Sequence, residues 1–207
     1  MAGWFVRFID KKGFRKTLDQ MLPLDEHTEG FVMVDHAHHE IHESHAFTCI
    51  FTDTVMGDAE TIILAFKTMR PPTYVHFTAV FQTLVGGNLQ LWEGATWTTN
   101  TGTVLPIVCR NRAHGACNSM LLEDKTYTPA FRATFNILSN VTGLGTGSAT
   151  SLFNEYAFGD KGKIAAGSRG ISEFVLKADT QYAIVFTAIG ASNKAQVTLD
   201  WYEHKEE

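Results

Sequence analysis

The stretch from Ser172 to Glu203, SEFVLKADTQYAIVFTAIGASNKAQVTLDWYE, decides the fold class of this chain. It contains two runs with an apolar side chain at every second position, joined by a short polar turn at residues 190–193. The apolar positions are Tyr182, Ile184, Phe186 and Ala188 in the first run, and Ala195, Val197, Leu199 and Trp201 in the second. A period of two with one apolar face is typical of a half-buried antiparallel strand. The stretch therefore predicts a β-sheet protein.

The same alternation recurs upstream, from Phe31 onward, with turn signals between the runs. The runs include Phe47, Cys49 and Phe51; Ile62, Leu64 and Phe66; Val75, Phe77, Ala79 and Phe81; Leu89 and Leu91; and Phe131, Ala133, Phe135 and Ile137. The pair Gly86-Gly87 predicts a two-residue hairpin, because both glycines tolerate positive φ. Many short strands with few helical signals predict an all-β fold, an antiparallel β-sandwich of jelly-roll type.

Residues 1–30 have a different pattern and are predicted to form an extended N-terminal arm, followed by a β-sandwich domain at residues 31–207. Within the arm, Phe14 to Met21 is expected to form a short helix. Pro23 would end this helix, because the residue before a proline avoids the α region.

Charge is unevenly distributed along the first 44 residues. Residues 1–22 hold five basic and two acidic side chains, whereas residues 23–44 hold six acidic side chains and no Lys or Arg. A basic arm of this kind is expected to dock on a partner's surface. Its predicted contact residues are Trp4, Phe5, Phe8 and Arg15, since aromatic side chains and arginine dominate interface hot spots. A solvated tail is the alternative interpretation.

The overall composition argues against several classes of protein. A net charge of -5 disfavours general nucleic-acid binding, which needs a basic face. No signal peptide is expected, because Arg7 and Asp10 interrupt the short apolar run at the N-terminus. No transmembrane helix is expected either, because the longest uncharged run, residues 133–154, is rich in Gly, Ser, Thr and Asn. Of the three cysteines, Cys49 is predicted to lie in the core. Cys109 and Cys117 flank a polar loop and would pair under oxidising conditions if their Cα atoms lie within about 7 Å.

Five of the nine histidines lie between His36 and His45. Neutral imidazole is a common ligand for zinc, copper, iron and nickel. In a strand, His36, His38 and His42 would project from one face, whereas in a helix His38 and His42 would stack at i, i+4. A metal site at His38 and His42 is therefore one hypothesis. The other is that His36, His38 and His42 form polar contacts at a subunit interface.

Arg110-Asn111-Arg112 forms a compact basic loop. The guanidinium group offers a rigid fork of donors that suits carboxylates. Arg110 and Arg112 are therefore candidates for contacts with acidic side chains of a neighbouring subunit, with pinning of the loop inside one subunit as the alternative.

Motifs for catalysis or cofactor binding are weak. The alternating glycines between Gly143 and Thr150 are followed by no predicted helix and contain no Lys, so they predict a flexible loop and not a nucleotide site. No cofactor is predicted. Loop carboxylates such as Glu93 and Glu155 leave a glycosidase as a remaining hypothesis.

Aromatic side chains in and beside the 94–129 loop suggest a binding function. Trp92, Trp97 and Tyr127 are able to stack on sugar rings, although exposed aromatics in a sandwich more often pack at an interface. A carbohydrate- or receptor-binding module is therefore an alternative hypothesis for this chain.

Several segments, taken in order, resemble a known family of small β-sandwich proteins encoded in the structural gene blocks of tailed bacteriophages. They are Ile41-His42-Glu43 with Phe47, Tyr74-Val75-His76-Phe77, Leu91-Trp92-Glu93-Gly94, Arg110-Asn111-Arg112, Gly159 to Lys163, Ser168-Arg169-Gly170, Phe174-Val175-Leu176-Lys177 with Tyr182, and Leu199-Asp200-Trp201-Tyr202-Glu203-His204. The resemblance runs from about residue 36 to the end of the chain and is most specific at Trp201 to His204. The family usually has glycine where Ser44 stands here.

The resemblance implies a structural, non-enzymatic virion protein: a capsid decoration, or cement, protein that binds and stabilises the bacteriophage head. Its implied partners are the major capsid protein and further copies of itself, as a homotrimer, with no nucleic acid and no membrane. Its implied location is the capsid surface of the virion, after assembly in the cytoplasm of the host bacterium. The N-terminal arm lies outside the resemblance.

Overall fold

The computed structural model describes residues 7–9, 15–17, 40–69, 73–113, 119, 137–158, 165–168 and 173–205. The chain divides between His39 and Glu40 into two units. The domain boundary predicted between residues 30 and 31 lies outside the described residues. Across the described ranges, no helix is both long and apolar enough to cross a bilayer.

The first unit contains a two-stranded antiparallel ladder of β1 (Arg7–Ile9) and β2 (Arg15–Thr17). Phe8 lies opposite Lys16 in this ladder. The helix predicted from Phe14 to Met21 is therefore wrong where β2 is described. An isolated helix of fewer than about 12 residues is marginal in water, whereas a neighbouring strand satisfies the backbone groups directly.

The second unit is an all-β sandwich of two antiparallel sheets, as the sequence predicted. Its strands are β3 (Ala46–Met56), β4 (Thr61–Lys67), β5 (Thr73–Thr83), β6 (Gly86–Glu93), β7 (Thr103–Leu105), β8 (Val108–Cys109), β9 (Ile137–Ser139), β10 (Thr150–Phe158), β11 (Ala165–Ser168), β12 (Phe174–Leu176), β13 (Gln181–Ala188) and β14 (Asn193–Lys205). The first sheet has the order β10-β6-β13-β4-β9-β7. The second has the order β11-β5-β14-β3-β8, with β12 also paired to β5.

Pairing between the longer strands is nested along the chain. β3 pairs with β14, β4 with β13, β5 with β11 and β12, and β6 with β10. From β3 to β6 the chain changes sheet at every connection, and it does so again between β13 and β14. Strands that are adjacent in sequence at these points therefore face each other across the core instead of pairing.

The predicted hairpin at Gly86-Gly87 is wrong, because β5 and β6 belong to different sheets and both glycines lie inside β6. Neither has positive φ. A Cβ atom at Gly87 would overlap the ring of Phe186 on the neighbouring strand. Gly87 is therefore required by close packing inside the sandwich and not by a turn.

Side chains from both sheets fill the space between them. Phe66 and Phe77 approach across the core with ring centroids 5.3 Å apart, and Phe81 and Phe186 do so at 5.7 Å. Each buried phenylalanine contributes about 1.5–3 kcal/mol. The face predicted for β14 is confirmed, because Ala195, Val197, Leu199 and Trp201 are all buried.

The β13 strand is buried on both faces, which differs from the predicted half-buried pattern. Its outward residues Ala183 and Val185 are both buried, at 0% and 8% exposure. Beside them Ala65 of β4 and Leu138 of β9 pack with Trp97 and Val141, which come from loops. Alternation within β13 did not reveal this second apolar cluster, because its members come from other segments of the chain.

The sandwich has a proximal and a distal end. At the proximal end β3 begins with Ala46, opposite Tyr202 of β14. At the distal end β3 finishes with Met56, opposite Asn193, where β14 begins.

Candidate functional site

Two segments predicted to form a subunit interface meet at the proximal end. The Asn111 side chain donates hydrogen bonds to the backbone oxygen of His42 at 2.9 Å and to Ser44 Oγ at 3.1 Å. The side chains of His42, Arg110 and Arg112 are exposed. Asn111 thus pins the basic loop to the histidine-bearing turn, while the three predicted interface side chains lie at the surface.

Ser44 has a φ of 67°, in the left-handed region. Glycine adopts this conformation without the steric cost that other residues bear. Here the serine hydroxyl also accepts the bond from Asn111.

Several predicted site residues fall outside the described part of the chain. Trp4, Phe5, His36 and His38 are among them, and the side chains of Phe8 and Arg15 are not described although both residues lie in the first ladder. Of the two proposed metal ligands, His38 and His42, only His42 is among the described residues. Within the described ranges, no group of three or more His, Cys, Asp or Glu side chains is placed to hold a metal ion.

A buried carboxylate at the proximal end was missed by sequence reasoning. Glu203 is only 4% exposed, and its Oε1 accepts hydrogen bonds from Trp201 Nε1 at 2.8 Å and from Ser119 Oγ at 2.6 Å. The signal was present in the sequence, because Glu203 follows Trp201 by two positions and therefore shares its inward face. A charged side chain in that position predicts a buried partner.

The turn that precedes β3 is tied to the end of β14. The Glu40 carboxylate is buried and lies 3.1 Å from Nδ1 of the exposed His45. The backbone nitrogen of Glu203 donates to the backbone oxygen of His45 at 3.0 Å. These contacts fix the point at which the chain enters the sandwich.

A second carboxylate cluster joins the two sheets at the same end. The Tyr182 hydroxyl donates to Glu93 Oε2 at 3.0 Å, and Lys177 Nζ donates to Glu93 Oε1 at 2.6 Å. The backbone nitrogen of Lys177 donates to the Tyr182 hydroxyl at 2.8 Å. Burial raises the pKa of the Tyr182 hydroxyl far above its ordinary value, and the Glu93 carboxylate raises it further. This arrangement holds Tyr182 protonated and anchors the start of β13.

A third cluster lies on the outer face of the second sheet. The rings of His76 and Tyr202 stack with centroids 4.5 Å apart and an interplanar angle of 11°. Glu173 Oε1 accepts the Tyr202 hydroxyl at 3.0 Å and lies 2.9 Å from His76 Nδ1. The cluster links β5, β14 and the residue that precedes β12.

The carboxylates Glu93 and Glu155 lie on neighbouring strands. Glu155 lies opposite Leu89, four residues before Glu93 on β6. Their backbone positions are therefore offset by about 14 Å along the strand.

Trp97 does not lie at the surface predicted for sugar stacking. It is 7% exposed and packs in the second apolar cluster, beneath a segment in which Thr96 and Gly145 exchange backbone hydrogen bonds. Among the residues that the structure describes, its Nε1 atom has no hydrogen-bond partner. Tyr127, the other aromatic proposed in the 94–129 loop, lies outside the described residues. Trp92, the third of these aromatic residues, is half-exposed.

Comparisons of the chain with protein-family models, with curated proteins and with solved structures find no match.

Proposed function

We propose that this chain is a virion structural protein: a capsid decoration protein that binds the head shell of a tailed bacteriophage and stabilises it. The role is mechanical and non-enzymatic. We also assign the sandwich to the jelly-roll type, which is common in viral capsid domains. The nested pairing of β3 with β14, β4 with β13, β5 with β11 and β12, and β6 with β10 supports this assignment.

The observation that carries the proposal is the convergence of the segments on which the family resemblance rests. Three contacts at the proximal end each join two of these segments, which are far apart in sequence. They are Glu93 with Lys177 and Tyr182, His76 with Tyr202, and His42 with Asn111. Residues that match a family pattern and also hold one another in space are expected to form one conserved structural unit.

Binding to the shell is proposed to combine two parts of the chain. The sandwich, as a homotrimer, contacts the major capsid protein. The arm, with Trp4, Phe5, Phe8 and Arg15, reaches a neighbouring decoration subunit or the major capsid protein. Contacts that are individually modest act together once one part is bound, because the others then bind at a high effective concentration. A stable shell contact is expected to bury at least about 1,200 Å².

The test is to add purified protein to expanded phage heads assembled without it, and to image the particles. Saturable binding at fixed lattice positions on the outer shell, with increased resistance of the heads to heat, is the expected result. The proposal is wrong if the heads do not retain the protein, or if imaging of intact virions places it in the tail or inside the head.

A carbohydrate- or receptor-binding module remains the second candidate. The observation that favours it is a row of aromatic side chains on the outer face of the first sheet, formed by Tyr156, Phe158 and the half-buried Trp92. Trp97 is not part of this row.

A further inference from the structure

The outer face of the first sheet is open along β6 and β10. Its surface there consists of three aromatic and two carboxamide side chains, which we term the aromatic platform. They are Trp92, Tyr156, Phe158, Gln90 and Asn154, and the buried Asn88 lies beneath them. In the register of the two strands, Tyr156 lies opposite Asn88, and Asn154 lies opposite Gln90.

The aromatic side chains of the platform are available to a ligand. Phe158 is 79% exposed and Tyr156 55% exposed, and their rings are nearly parallel at 8° with centroids 6.0 Å apart. Trp92, at the other end of β6, is half-buried on the same face. From Trp92 to the residue opposite Phe158 the platform extends about 20 Å along the strand.

The carboxamides supply both donors and acceptors between the rings. Asn88 Nδ2 donates to Asn154 Oδ1 and, at 3.3 Å, to the backbone oxygen of Glu155, which fixes the orientation of the Asn88 amide. Within the described part of the chain, the Gln90 carboxamide and the Tyr156 hydroxyl make no hydrogen bonds. Their hydrogen-bonding capacity is left for solvent or a ligand.

The platform carries no formal charge. Glu93 bonds Tyr182 on the inner side of the sheet, and Glu155 alternates with Tyr156 and therefore belongs to the opposite face. Aromatic rings present an apolar face to the C–H groups of a pyranose, and carboxamides match its hydroxyl groups as donor and acceptor. We propose that the aromatic platform binds a neutral polysaccharide chain laid along β6 and β10.

The exposed area favours a glycan over a second copy of this chain. Tyr156 and Phe158, the most exposed aromatic members of the platform, together offer roughly 300 Å² of contact surface, and the other members are smaller or half-buried and add less than that. A stable protein interface needs about 800 Å² from each partner. A few sugar residues are covered by an area of this size. The inference is independent of shell binding, because either function is able to exist without the other.

The experiment is affinity electrophoresis of the full chain in native gels that contain an α-glucan, a β-glucan, a galactomannan or a mannan. We expect at least one polysaccharide to retard the protein, and the double variant Tyr156→Ala, Phe158→Ala to lose at least tenfold in affinity. Gln90→Ala is expected to lose about threefold. Val175→Ala, which removes an exposed apolar side chain from the second sheet, is the matched control and should bind as the parent does.

All substituted positions except Gln90 are well exposed, so thermal unfolding of each variant should match that of the parent. Three results would overturn the inference. They are no retardation in any of the four gels, equal retardation of the parent and the double variant, and a change of oligomeric state in the double variant with glycan binding intact. The last result would assign the platform to self-association.

Discussion

Thr83, which ends β5, and Asn193, which begins β14, are joined at the distal end by a 2.9 Å hydrogen bond from Thr83 Oγ1 to Asn193 Oδ1. Both residues are buried, although 110 positions separate them in sequence. Asn193 Oδ1 also accepts the backbone nitrogen of Val85 at 2.9 Å, and its Nδ2 donates to the backbone oxygen of Gly86 at 2.7 Å. One carboxamide thus ties the β5–β6 connection to the start of β14, where the β13–β14 connection ends.

Replacement of Asn193 by Ala is expected to lower the free energy of unfolding by about 2–4 kcal/mol, because it removes three hydrogen bonds at the β5–β6 connection and leaves the Val85 backbone nitrogen without its acceptor. Urea unfolding monitored by tryptophan fluorescence measures this change. Lys194→Ala, at the exposed neighbouring position, is the control and should stay within about 0.5 kcal/mol of the parent. Equal stability of the Asn193 variant and the parent would refute the role assigned to this side chain.

Replacement of Gly87 by Ala is expected to destabilise the sandwich by about 1–3 kcal/mol, because the added methyl group overlaps the buried Phe186 ring. Gly147 is a matched control, since a Cβ atom there would meet nothing within 4 Å and its φ is not positive. Gly147→Ala should be neutral or stabilising by up to about 1 kcal/mol. Thermal unfolding of both variants measures the change in stability. Equal destabilisation by Gly87→Ala and Gly147→Ala would contradict the packing argument.

Tyr182 is expected to make stability dependent on pH in the alkaline range. An unfolded tyrosine ionises near pH 10.0, whereas burial and the Glu93 carboxylate keep the folded Tyr182 protonated above that pH. The folded pKa is raised, so the stabilisation is fully present below pH 10 and is lost as pH rises, by up to about 1.4 kcal/mol per pH unit.

Tyr182→Phe should therefore cost about 1–3 kcal/mol at pH 7, because Glu93 and the Lys177 backbone nitrogen lose a buried partner. It should also show a flatter decline of stability between pH 9.5 and 11 than the parent does. Tyr156→Phe, at an exposed position, serves as the control with an unchanged profile. Parallel profiles for the parent and the Tyr182 variant would show that this hydroxyl does not govern alkaline unfolding.

The cysteines are expected to differ in reactivity. Cys49 is free and buried, and burial raises its pKa to about 12. Cys109 is disulfide-bonded, and Cys117, the partner expected from the sequence, lies outside the described residues. A thiol reagent at pH 8 should detect no thiol in the native protein, one after unfolding and three after reduction.

A disulfide between Cys109 and Cys117 would close a short loop, and closure of such a loop stabilises a protein by about 2–3 kcal/mol. Reduction should lower stability by that amount. Three reactive thiols in the unfolded, unreduced protein would rule out the disulfide.

Deletion of residues 1–22 is expected to leave the sandwich folded while abolishing its binding to phage heads, because the predicted contact residues of the arm are removed. Circular dichroism measures folding, and cosedimentation with expanded heads measures binding. Alanine substitution of Trp4, Phe5 and Phe8 in the full chain is the narrower test of the same idea. Head binding by the truncated protein equal to that of the full chain would remove the arm from the proposed function.

The sequence predicted which side chains of β14 enter the core, because alternation is a local property of an extended strand. It also placed Cys49 in the core correctly. It did not predict the partner of any strand, since the two halves of a nested pair such as β3 and β14 are separated by most of the domain. The error at Gly86-Gly87 has the same origin: glycine marks a tight turn and a close side-chain approach alike, and only the position of Phe186 distinguishes them.

The fold class was predictable from the sequence, whereas the exposure of the candidate surfaces was not. The periodicity of the sequence determined by itself that this polypeptide forms an all-β sandwich, because each apolar face has to be buried against another. Tertiary structure alone decided that Trp97 is covered while Tyr156 and Phe158 are open, and that Glu93 meets Tyr182 and Lys177. Exposure and hydrogen bonding depend on which distant segments cover a strand, and that is a property of the packed chain that no local pattern contains.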